Sequence, residues 1–218
     1  MVVIKISFLS KEEKAIAHTA HLKNICFSQK NSFIIYFDGS KHGETDILST
    51  RLAVKTSSTS FTKYSWNIGK SCEMFDAELY ALHKAFQYAI KACAHLFHIQ
   101  DIWIFSDSQA AIQSLQSNHI RAGQNKVNSI ISLVTKLLFK NVRLHLQWIS
   151  AHMGIEGNEE VDKAVKSGTL KTCCVSDACV SLPFVKRKVK EDCLLNWQRI
   201  WKTQNIGRHY IQFDTMPK

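Results

Sequence analysis

The chain has 218 residues, enough for one sizeable core with a small appendage. Its 45% hydrophobic content excludes a disordered polyelectrolyte, and no window approaches the roughly 20 apolar residues that a membrane span needs. A net charge of +10 favours polyanionic partners, nucleic acid above all.

Residues 2–9 read as a short strand, and Ser10 with Glu13 has the spacing of a capping box, so a helix is expected to about residue 26. Asn31-Ser32 breaks into the run Phe33-Ile34-Ile35-Tyr36-Phe37, apolar on both faces as a doubly covered central strand would be. Asp38-Gly39-Ser40 is expected to lead out of that strand toward a turn. Strands at about 47–55 and 61–68, joined by Thr56-Ser57-Ser58-Thr59, would complete a meander. A helix over 73–93 puts Leu79, Leu82, Phe86, Ala89 and Cys93 on one stripe. Glu78 borders that stripe and can point toward the strand ends.

Ile102-Trp103-Ile104-Phe105-Ser106 is a second central strand, ended by Asp107. Asp107-Ser108 opens a short helix to about 116, and another is expected over 124–139. Val142, Leu144, Leu146 and Trp148 alternate with polar residues, which marks an edge strand with one covered face. A last helix follows Gly157, with Asn158 as its cap, Glu159-Glu160 at its positive end and Val161, Ala164 and Val165 as its packing face. In the tail, Pro183 opens a basic helix over 184–203, expected to pack on the domain through Trp197 and Trp201. Residues 169–218 hold nine Lys/Arg against four Asp/Glu. The seven cysteines show no paired metal-ligand spacing, so free thiols in a reducing compartment are expected. The start lacks the order of a secretory signal. The expected location is therefore intracellular, nucleus or cytoplasm, without secretion.

The elements make a mixed α/β layer, and four acids stand at its functional end. Asp38 and Asp107 end the two central strands, while Glu78 and Asp162 reach the same place from flanking helices. Carboxylates so grouped repel unless a cation lies between them, and hard oxygen donors suit Mg²⁺ or Mn²⁺. Taken singly, each has a duller reading: turn former, helix cap or solvated helix residue.

In order along the chain stand Asp38-Gly39-Ser40, then Asp76-Ala77-Glu78-Leu79-Tyr80-Ala81-Leu82, then Phe105-Ser106-Asp107-Ser108. The segment from Trp148 to Asp162 follows, with His152-Met153-Gly154-Ile155 and Gly157-Asn158 ahead of Asp162. Together they resemble type 1 ribonuclease H, and more narrowly the ribonuclease H domain of a retrotransposon reverse-transcriptase polyprotein. The resemblance implies a ribonuclease H-like fold: a five-stranded mixed sheet, an antiparallel meander plus parallel strands, with helices on both faces. It implies endonucleolytic hydrolysis of the RNA strand of RNA–DNA hybrids. Two Mg²⁺ ions, with Mn²⁺ as the alternative, would be held by Asp38, Glu78, Asp107 and Asp162. His152 matches the family's catalytic histidine, a proton shuttle or aid to product release; outside that motif it would read as a loop histidine. Gly39, Ser40 and Asn158 would contact the substrate.

The expected division is a connection segment at 1–31, a ribonuclease H domain at 32–168 and a basic extension at 169–218. A reverse-transcriptase domain in a longer polyprotein is the expected protein partner. The rival reading is a catalytically inactive hybrid-binding module from a decayed element. Val161 stands where the family often has alanine, a change of packing rather than chemistry. Residues 117–123 carry one arginine where some members have a basic protrusion, so grip on the hybrid is expected to fall to the charged tail or to another domain.

Overall fold

The computed structural model describes Thr19, His21 and residues 31–41, 43, 46–57, 60–96, 98–116, 123–151, 153–163 and 180–203. The strand expected at 2–9 and nearly all of the helix expected to residue 26 lie outside these, as do Ala164 and Val165.

Three strands form first in the chain: β1 (Ser32–Lys41), β2 (Leu48–Lys55) and β3 (Phe61–Gly69). Each pairs antiparallel with the next, giving the expected meander. Helix α1 (Met74–His95) follows, then β4 (Asp101–Ser106), α2 (Gln109–Ser114), α3 (Gln124–Leu138), β5 (Arg143–Trp148) and α4 (Glu156–Lys163). β4 lies parallel to both β1 and β5, so the sheet runs β3-β2-β1-β4-β5. β5 is an edge strand, as its alternation predicts.

Alternation along β1 sends its apolar run to two covered faces. Ile35 and Phe37 pack with Leu79, Leu82 and Phe86 of α1 and with Ile130 of α3. Ile34 and Tyr36 pack on the other face with Phe105, Ile155 and Val161. The largest of these side chains are fully buried, each stabilising the fold by roughly 1.5–3 kcal/mol. Helices therefore cover both faces, and α1 presents the stripe read from the sequence.

β1 differs from expectation in one respect that shapes the site. It runs on past Asp38 to Lys41, with Asp38, Gly39, Ser40 and Lys41 paired to Arg51, Thr50, Ser49 and Leu48. β4 keeps pace with β1 only as far as Tyr36 opposite Phe105. Beyond that point β1 is paired on one side alone, and its other side opens onto the carboxyl end of β4. Open α/β sheets place their sites in such crevices.

Helix α5 (Leu182–Thr203) begins two residues before the expected start, and the Ser181 hydroxyl accepts from the Phe184 amide. Arg187 anchors it to Glu73 at 2.9 Å. The expected packing through the tryptophans is seen only in part: among the described residues no α5 residue is fully buried, and Trp201 is half-buried with its indole nitrogen covered. Trp197 is 51% exposed and stacks on Trp201, ring centroids 6.2 Å apart. The two tryptophans thus stack on each other along one helix. Cys72, Cys93 and Cys193 carry free thiols. No described helix is long and apolar enough to cross a membrane.

Candidate active site

Helix α1 starts where a capping box fixes it: the Glu73 amide donates to Asp76 Oδ2 at 2.8 Å, and the Glu73 side chain accepts in return. This places the first turn of α1 directly over Gly39. A Cβ on Gly39 would lie 2.6 Å from the Glu78 amide nitrogen and 2.8 Å from the Ala77 carbonyl carbon. Glycine is required because helix backbone occupies the space of its side chain. Thr50, buried beside it on β2, donates to the Ala77 carbonyl at 3.1 Å. Glu78 is thereby carried to the crevice.

Asp107 follows the last residue of β4. Its carbonyl accepts from the Trp148 indole at 3.0 Å, and its Oδ2 accepts from Asn158 Nδ2 at 3.3 Å. Ser108 caps α2 through the Ala111 amide and donates to Glu78 Oε2 at 2.5 Å. One hydroxyl thus ties the acid of α1 to the loop that carries the acid of β4. Asp162 lies on α4, exposed, and its charge bears on Asp38. α4 seats closely on the sheet, since a Cβ on Gly157 would fall 2.2 Å from the Tyr36 ring.

Asn158 departs from its expected position. α4 begins at Glu156, so Asn158 sits inside the first turn instead of capping it. It is buried, and its Oδ1 has no hydrogen-bond partner among the described residues. Ser40 turns toward the neighbouring strand, 2.7 Å from the Ser49 hydroxyl and bonded by Arg51. His152 lies outside the described residues.

The electrostatics show that the four acids share one field. Burial raises the Asp38 carboxyl, and the negative charges of Asp107, Asp162 and Glu78 raise it further against the opposing pull of Arg51, to about 7. Glu78 is also raised, by burial first and then by Asp107, while its bond from Ser108 pulls the other way. A hard divalent cation would relieve this repulsion, and carboxylate oxygens are the donors it prefers. The donor set fits such an ion in chemistry and in charge. Its members are not drawn to one point: among the described residues no three His, Cys, Asp or Glu side chains form a ready metal-holding group.

Arg51 and Ser108 were not among the residues picked out from the sequence. A cation in the middle of Leu48–Lys55, between residues that are buried, was a readable signal for the first. Ser108 was read only as part of the turn opening α2; its bond to Glu78, 30 positions away, left no local mark.

This sheet order, with acids gathered where β1 and β4 part, defines a ribonuclease H-like α/β protein. Comparison with protein-family models agrees: residues 30–169 match the model described as RNase H. The chain belongs to the ribonuclease H family.

Proposed function

We propose that this protein is a metal-dependent endonuclease that hydrolyses the RNA strand of RNA–DNA hybrids. The observation that carries the proposal is the crevice where β1 and β4 part, at which the Asp38 carboxyl is raised to about 7 by burial first and then by the charges of Asp107, Asp162 and Glu78. Asp38, Glu78, Asp107 and Asp162 would hold two Mg²⁺ ions, or Mn²⁺. Such ions, when bound, neutralise a phosphodiester and lower the pKa of a bound water.

The chain's own residues supply the order. Ser108 fixes the rotamer of Glu78, and Asn158 with Trp148 fixes Asp107. Binding a divalent ion requires Asp38 to release its proton. His152, four positions ahead of α4 in the chain, is assigned the proton transfer that attack and departure at phosphorus demand. Gly39, Ser40 and Asn158 are assigned to the hybrid face of the crevice, and the net charge of +10 supports a polyanionic ligand. The retrotransposon origin, the reverse-transcriptase partner, the intracellular setting and the division at residues 31 and 168 belong to the same proposal.

Arg51 supports a second reading. A buried guanidinium in the carboxylate field opposes divalent ions, as expected of a module that holds hybrid without cutting it. One assay separates the two. Labelled RNA–DNA hybrid, duplex DNA and single-stranded RNA are incubated with the protein in Mg²⁺, in Mn²⁺ and in chelator. The enzyme reading expects cleavage of the hybrid alone, lost in chelator and in Asp107→Asn. Hybrid binding with no cleavage in either metal would establish the binding module instead.

A further inference from the structure

Arg51 stands directly opposite Asp38 in the antiparallel β1–β2 pair. Opposed residues of such a pair project from the same face of a sheet. The guanidinium therefore shares the side on which Tyr36 meets α4, and with it the side of Asp38. Arg51 is only 6% exposed, while the Leu52 and Ala53 that follow it are fully buried.

Burial of a guanidinium is costly unless its charge and its donors find partners. Among the described residues Arg51 bonds from Nη2 to the Ser40 hydroxyl, a neutral acceptor that satisfies a donor and offsets no charge. The carboxylates that favour its charge are Asp38, once it has released its proton, and Asp162. Arg51 thus already performs, in part, the neutralisation that the acid cluster otherwise asks of a divalent ion. Arginine does this permanently, since it does not deprotonate in proteins.

We infer that Arg51 is the resident cation of this site, a positioning residue that holds down the affinity of the free protein for divalent metal. This rests on the reading of Asp38, Glu78, Asp107 and Asp162 as the metal ligands. Four carboxylates attract a divalent ion more strongly than four carboxylates with a guanidinium among them. The same guanidinium steadies the metal-free crevice by limiting the repulsion around Asp38.

The test uses the full chain without nucleic acid, titrated with Mn²⁺ and followed by the electron paramagnetic resonance signal of the free ion. Arg51→Gln removes the charge and keeps a donor for Ser40; Arg51→Met removes both at similar length; Arg51→Lys keeps the charge. Circular dichroism of each variant checks folding, and any one neutral variant that folds suffices. The expected result is Mn²⁺ binding at least about tenfold tighter in the neutral variants, with Arg51→Lys near the parent. The rise in melting temperature on adding Mn²⁺ should be larger in the neutral variants as well. Neutral variants that bind Mn²⁺ no more tightly than the parent overturn the inference and leave the ligand assignment standing. Absence of Mn²⁺ binding in the parent and all variants overturns the ligand assignment and this inference with it.

Discussion

Replacing Asp38 by asparagine should make the metal-free protein more stable, and increasingly so as the pH rises. Asp38 is pushed up from 3.8 to about 7 in the folded chain, by burial and by Asp107, Asp162 and Glu78. Unfolded, it returns to about 3.9. Between those values the folded state binds a proton that the unfolded state has released, so stability falls as pH increases. The contribution is fully present below about pH 4 and is lost as the pH passes through 7. A separation of about three pH units corresponds to about 4 kcal/mol. Asparagine keeps the shape of the protonated acid and removes the titration. Urea unfolding in chelator at pH 5, 6, 7 and 8 measures the effect. The stability of Asp38→Asn relative to the parent should climb across that range by about 2.5 kcal/mol, the rest of the effect lying below pH 5. Parallel profiles, or a parent that gains on the variant as pH rises, would refute the claim that the carboxylates share one field.

Three further substitutions probe how the site is held. Ser108→Ala removes the α2 cap and the bond to Glu78, and should cost about 1–2 kcal/mol in urea unfolding. Its hybrid cleavage should fall by more than that loss of folded protein explains. Gly39→Ala drives a Cβ into the backbone of Ala77 and Glu78, so α1 must move; a cost of about 1–3 kcal/mol is expected, with cleavage lost even where folding survives. Gly157→Ala pushes on the Tyr36 ring, which is stacked on Phe105 at 5.2 Å, and should lower the melting temperature by several degrees at least.

Much of this site could be read along the chain because its acids announce themselves locally. Asp38 and Asp107 each close an apolar run, and Glu78 borders a helical stripe of known phase. What failed to show was the length of β1. Hydrophobicity marks a strand only while both faces are covered, and beyond Phe37 the strand is polar and paired on one side. The tail helix misled in part, for the opposite reason. Trp197 and Trp201 one turn apart satisfy the pattern of a packing face, but a pattern does not name its partner, and the two rings lie on each other.

Long-range pairing accounts for the remaining differences. Asn158 has the composition of a cap, yet it reaches Asp107 across 51 positions once α4 settles on Tyr36. Arg51 is one charged residue among many until the hairpin register sets it opposite Asp38.

The sequence by itself determined the order of the described elements and the two-faced core, because both follow from hydrophobic periodicity; the four acids were singled out by their joint placement and by the family resemblance. Tertiary structure alone decided how those acids are balanced. Which hydroxyl holds Glu78, which amide holds Asp107 and which cation faces Asp38 depend on strand register and helix seating. Those are fixed by contacts tens of residues apart, whose energies no local window contains.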